Sequence, residues 1–179
     1  MNEEVSVPRW VLFWSIALGG AAFDMVTKTL VFARIGPPPA SPIALIPNVL
    51  ELHTSLNRGA LWGLGRNLQY SSLIFAALSV VAAVVICWYL FVKRAASDGR
   101  LTAALALIMA GALGNCYDRL ALGSVRDFVH FHVDPIGFDC AIFNFADNML
   151  VAGAIVLMLL ALRHEPQHPL EPEVPSPAA

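Results

Sequence analysis

Residues 143–162 read FNFADNMLVAGAIVLMLLAL. An apolar run of about 20 residues is long enough to cross the hydrocarbon of a bilayer as one helix. Yet Asn144, Asp147 and Asn148 stand in its first turns, three and four positions apart and so on one helical face. The stretch predicts a membrane helix, and its polar start asks what that helix is for.

The rest of the chain agrees with a membrane setting. Of 179 residues, 58% are hydrophobic and only 13% charged, with a mean hydropathy of +0.67. A soluble domain carries about 25% charged residues, so this chain lacks the polar surface to face water all round. The net charge of −2 gives no footing for a nucleic-acid partner. Cys87, Cys116 and Cys140 are odd in number and lack metal-site spacing. A Cys116–Cys140 bridge stays open on sequence grounds.

Three further runs satisfy the length criterion, giving spans at about 10–32, 71–92, 101–120 and 144–162. The first carries Asp24 and Lys28, and small residues at 19–22 allow a second reading as a cleaved signal peptide. The acidic start MNEEVSVPR and the apolar residues after Asp24 favour a retained helix. Residues 1–163 are expected to form one domain, with the proline-rich 164–179 a disordered cytoplasmic tail.

Four spans put both termini on one side. Arg9, Lys93, Arg94, Arg100 and Arg163 would share that side, and Arg34, Arg58, Arg66, Arg119 and Arg126 the other. The count ties. The short basic loop at 93–100 breaks the tie towards cytoplasmic termini.

Between the spans, VLELHTSLN and DFVHFHV alternate apolar and polar residues, which predicts strands. DPIG reads as a turn and FDCAIF as a return strand. RGALWGLG predicts an apolar segment lying on the membrane surface. The expected architecture is an all-α membrane protein, a four-transmembrane-helix bundle with a small extracytoplasmic β-element and an amphipathic surface segment.

The polar residues inside or beside the spans are Asp24 with Lys28, Asn57, Asn115 with Asp118 and Arg119, Asp127, and the Asn144 group. Ionisable groups in a span are costly and mark function by default. All fall towards one membrane surface. A hairpin around DPIG would return Asp127 to Asn144, with Asp147 one helical turn (~5 Å) away. Two facing aspartates share a proton near neutral pH, one drawing a proton from water and the other giving one up.

Each residue also has a plainer reading. Asp24 and Lys28 form a self-satisfying i, i+4 pair. Asp118 with Arg119 reads as a structural charge pair orienting a loop. Asp147 caps a helix start, and Asp134 and Asp139 are turn residues. His130 and His132, alternate on a strand, signal a metal only weakly.

Five ordered motifs then carry a resemblance: FDMVTK, LNRGA, GNCYDRL, SVRDF and FNFADN. Together they resemble the lipoprotein signal peptidases (signal peptidase II) of bacteria, over about residues 10–162. The resemblance implies a metal-independent, cofactor-free aspartyl endopeptidase of the inner membrane, with both termini cytoplasmic and its site at the extracytoplasmic leaflet. It implies cleavage of diacylglyceryl-modified prolipoproteins just before the lipidated cysteine, by a monomer working in membrane lipid. Carried onto this chain, Asp127 and Asp147 are the catalytic pair. Asn57, Gly59, Asn115, Arg119 and Asn144 contact substrate, and Asp24, Lys28 and Asp118 support them. Ala60 completes the family's NxGA motif, Phe143 its FN motif, and Cys116 fills a variable position. The rival readings are a multi-span transporter with intramembrane carboxylates and a catalytically silent scaffold of the same fold. The second span holds no charged residue for a transport path, and the aspartates are intact.

Overall fold

The computed structural model describes residues 7–59, 65, 68–93 and 98–162. Most of the anticipated surface segment after Gly59, Ala60 included, and the tail from 163 lie outside the described residues. Four helices are long and apolar enough to cross a membrane. These are α1 (Val7–Ile35), α2 (Ser71–Cys87, continued by a π-helical turn at Trp88–Val92), α3 (Gly99–Leu122) and α4 (Phe145–Leu162).

The helices divide the work by side-chain size. In its most apolar stretch α3 is 67% buried, against 22%, 17% and 11% for α1, α2 and α4, so α3 is the central post. It can be central because its inward positions are small: Ala104, Ala106, Ala110, Gly111, Ala112 and Gly114 are all buried. Between apolar helices in lipid, close packing of small residues replaces the hydrophobic effect as the attraction. A methyl at Gly111 would strike the Ala146 carbonyl, and one at Gly114 would come within 2.5 Å of Asp24 Oδ2. The outward faces are left apolar, with Val81, Val84, Val151 and Ile155 exposed, as a lipid-facing surface requires.

Helix α3 is bounded by local signals at both ends. The Asp98 side chain accepts the Arg100 N–H at 2.8 Å, the usual N-cap bond. At the other end Gly123 adopts a left-handed φ of 73° and returns its N–H to the Arg119 carbonyl, which a residue with a Cβ does only under strain. The chain then turns directly into a strand.

A four-stranded antiparallel sheet caps one end of the bundle in the order β1 (Ile43–Ile46), β2 (Leu50–Asn57), β3 (Val125–Val133), β4 (Phe138–Asp139). The two alternating segments are β2 and β3, and they pair with each other, Ser55 opposite Asp127 and Glu51 opposite His130.

The anticipated return strand 138–143 is shorter than expected. Its ladder stops at Asp139, and only an isolated bridge from Val129 to Phe143 follows. The Phe143 carbonyl accepts from both Phe128 and Val129, the signature of a β-bulge. That bulge breaks the alternation and leaves the adjacent residues Asp127 and Phe128 both buried. No bridge joins Cys116 to Cys140; both thiols are free.

Candidate active site

Asp127 lies on β3 where the strand passes over the end of α3, and only 2% of it is exposed. Asn144, the residue before α4, donates from Nδ2 to Asp127 Oδ1 at 2.6 Å. Asn57, the last residue of β2, donates to Asp127 Oδ2 at 3.2 Å. Burial pushes the Asp127 carboxyl up, the charge of Asp147 pushes it further, and these two amides pull it back, leaving it at about 7.

Asp147 sits in the first turn of α4 and is locked into a reciprocal cap. The Asn144 N–H donates to Asp147 Oδ2 at 3.2 Å, and the Asp147 N–H donates to Asn144 Oδ1 at 3.0 Å. This is capping-box geometry, with aspartate where glutamate is usual. The plainer reading of Asp147 as a cap therefore holds, and the same carboxylate also lines the cleft beside Asp127. Its Oδ1 accepts from Asn115 Nδ2 at 2.8 Å.

Asn115 and Asn144 join the two carboxylates into one network. Asn144 Nδ2 donates to Asn115 Oδ1 at 3.2 Å as well as to Asp127. The same Asn115 oxygen accepts from Lys28 Nζ at 2.9 Å, which fixes the orientation of the amide. Lys28 is 2.7 Å from Asp24 Oδ2, outside hydrogen-bond angles, and 3.3 Å from Asp118 Oδ2, with all three side chains fully buried. Asp24 Oδ1 in turn accepts the Ala146 N–H at 2.8 Å. The charge pair on α1 thus holds α3 and α4 together under the site. Burying so many charges is tolerable only because each has a partner.

Asp118 pairs differently from the sequence expectation. Its partner is Arg126, not Arg119: Arg126 donates to it from the backbone at 2.9 Å, from Nε at 3.1 Å and from a terminal nitrogen at 2.8 Å. Neighbours on a helix point in different directions, so Arg119 faces elsewhere. It reaches the Gly59 carbonyl at 3.1 Å and the Asn115 carbonyl at 3.4 Å, with its guanidinium over the Phe75 ring. Gly59 is held from the other side, its N–H donating to Asn57 Oδ1 at 2.9 Å. Arg119 therefore clamps the Asn57 turn onto α3.

Arg126 is the residue sequence reasoning missed. It anchors the start of β3 to α3 and, through Thr29 at 3.2 Å, to α1, immediately beside Asp127. Adjacency to a candidate aspartate was the one available signal.

The carboxylates share a cleft of about 900 Å³ between α2, α3, α4 and the sheet. Asn57, Asn115 and Arg119 line its polar end, while Leu78, Ile108, Leu150 and Val151 line the rest. The groove lies open among the membrane helices, with apolar walls over most of its length and both carboxylates at its polar end.

Fold and site define a multi-span membrane enzyme with paired carboxylates at one end of its bundle. The chain belongs to the signal peptidase (SPase) II family, whose model matches residues 16–163. It is 35% identical over 163 residues to a lipoprotein signal peptidase of Rhodopirellula baltica, spanning 84% of this chain and 71% of that one. With a lipoprotein signal peptidase of Staphylococcus aureus it shares 32% over 161 residues, 89% of this chain and 92% of the relative. Two bacterial membrane enzymes solved by the in meso method share the fold. Their TM-scores are 0.75 and 0.74 and their identities 28% and 29%; they cover 94% and 92% of this chain and 99% of each of their own. The chain is a membrane protease of this family.

Proposed function

We propose that the chain is an aspartyl endopeptidase that removes the signal peptide from diacylglyceryl-modified prolipoproteins, cutting before the lipidated cysteine. The observation that carries this reading is the pair of carboxylates on one cleft, tied through Asn144, with Asp127 held at about 7. Relatives named lipoprotein signal peptidases support the substrate class. The apolar walls of the cleft suit a signal helix entering sideways from lipid.

In the proposed mechanism Asp127, buried at β3 with its carboxyl pushed up to about 7, is the acid, and Asp147, on its helix cap, is the base. Water lies between Asp147 and the scissile carbonyl. Asp147 takes a proton as the oxygen attacks, and Asp127 gives its proton to the departing nitrogen. Two carboxyls and one water close the proton balance.

Asn115 and Asn144 were expected to contact substrate. Asn144 spends both amide hydrogens, on Asp127 and Asn115, and Asn115 gives one of its two to Asp147, so we assign Asn144 to bracing and Asn115 to bracing with one amide hydrogen left for substrate. Arg119 Nε is buried without a hydrogen-bond partner among the described residues. It is the donor we assign to the substrate backbone, together with the Asn57–Gly59 turn. We place the sheet and site at the extracytoplasmic leaflet, with cytoplasmic termini, one monomeric domain over residues 1–163, and residence in the bacterial inner membrane.

The test is processing of a diacylglyceryl-prolipoprotein in proteoliposomes by wild type, Asp127→Asn and Asp147→Asn. Both variants should insert and lose cleavage by at least about 10³-fold, the scale on which acid–base groups act together. Wild-type turnover by either variant refutes the assignment.

A further inference from the structure

One cluster of ligating side chains lies outside the catalytic network. On the sheet, Glu51 of β2 is the direct cross-strand partner of His130 on β3, and His132 follows two residues on, beside His130 on the same face. One ligand atom from each of Glu51, His130 and His132 lies within 4.8 Å of the others. The His130 and His132 rings stack at 4.9 Å with an interplanar angle of 23°, so neither ring needs to turn far to present a nitrogen.

Two features go beyond mere proximity. His130 bridges two carboxylates, Nδ1 to Glu51 at 2.8 Å and Nε2 to Asp139 at 2.7 Å. A metal-bound imidazole almost always hands its second nitrogen to a carboxylate, which fixes the ring and its tautomer. Here Asp139 holds that position before any metal enters. Second, His53 Nδ1 is buried, has no hydrogen-bond partner among the described residues and lies 3.3 Å from Glu51 Oε1. Burying a polar atom unsatisfied is costly, and this one sits beside the same carboxylate oxygen.

We propose that Glu51, His130 and His132 form a binding site for a borderline divalent metal, Zn(II) or Cu(II), with His53 as a fourth donor and Asp139 orienting His130. Imidazole with one carboxylate selects these ions over Mg(II) or Ca(II), which take oxygen sets. Tetrahedral Zn(II) with bonds of about 2.0–2.2 Å sets its donors about 3.3 Å apart. The Glu51–His130 contact then opens by roughly half an ångström, and His132 closes in by side-chain rotation alone. The ion stands apart from the two aspartates and takes no part in hydrolysis. It staples β2 to β3, the two strands that carry Asn57 and Asp127.

The experiment is Zn(II) titration of the full chain, purified in detergent with its affinity tag removed, against a competing chromophoric chelator. Wild type should bind one Zn(II) per chain. His132→Ala and Glu51→Gln should weaken binding more than tenfold, Asp139→Asn about tenfold, and Cys140→Ser not at all. Binding below one equivalent, or unchanged affinity in His132→Ala and Glu51→Gln, overturns the site. The wild-type Cu(II) paramagnetic resonance spectrum gives a reading that no variant's folding affects. Coupling to at least two nitrogens is expected, and an oxygen-only spectrum overturns the proposal.

Discussion

Asn144 donates to Asp127 at 2.6 Å from its side-chain amide and to the Asp147 carboxylate at 3.2 Å from its backbone N–H, so one residue fixes both halves of the carboxylate pair. The two aspartates lie on different kinds of element, a strand and a membrane helix, and Asn144 is the last residue before that helix begins.

Replacing Asn144 therefore alters titration as well as rate. Its bond to Asp127 pulls the Asp127 carboxyl down. In Asn144→Ala that pull is gone, and Asp127 should titrate at higher pH. The falling alkaline limb of the pH–rate profile should move upward while the maximal rate drops at least about tenfold, as is typical when a positioned proton donor loses its orientation. A profile that keeps its alkaline limb argues against Asp127 as the acid.

Wild-type activity should fall as pH rises through about 7, because the acid form of Asp127 is lost there. The stability consequence has the opposite sign from that of an ordinary salt-bridged aspartate. Asp127 titrates at about 7 in the fold, against 3.8 ordinarily, so between those values the folded state holds the extra proton. Each pH unit across that window costs the fold about 1.4 kcal/mol. Asp127→Asn should thus raise the melting temperature at pH 8, change it little at pH 4, and abolish cleavage. Thermal unfolding at both pH values checks the sign.

Lys28 is the only cation within ion-pair distance of Asp24 among the described residues, and it also reaches Asp118. Lys28→Met strands a buried carboxylate, a change that costs about 3–5 kcal/mol. Adding Asp24→Asn to Lys28→Met should recover part of that loss. Strictly additive effects in denaturation of the single and double variants would contradict the pairing.

Gly111→Ala tests how tightly α4 is seated. The new methyl meets the Ala146 carbonyl, one residue before Asp147, and backbone cannot swing away as a side chain can. Helix α4 should shift, and misplacing a catalytic group by about 1 Å costs about 10²-fold. Gly19→Ala, whose methyl meets nothing within 4 Å, is the control and should retain wild-type turnover.

Much of this was legible in the sequence because lipid imposes harsh rules. Apolar length alone marked the four helices, and polar residues stood out against them, from Asp24 to Asp147. Alternation in LELHTSLN and VRDFVHFHV marked both strands. Their pairing was not readable, since nothing local to Ser55 names Asp127 as its partner across 72 residues. The same limit hid Arg126: sequence offered Arg119 to Asp118 by adjacency, while the turn at Gly123 delivers Arg126 instead. The bulge at Phe128 was equally invisible, because a doubled bond to one carbonyl is set by the return segment.

The placement of Asp147 on α4 and Asp127 on β3 makes the reaction answerable to the bilayer. A mismatch between a helix's apolar length and the surrounding hydrocarbon is met in part by tilting; Asp147 rides on the first turn of α4, whereas Asp127 travels with the sheet. Under the proposed mechanism, membrane thickness thereby becomes a setting of the separation between acid and base.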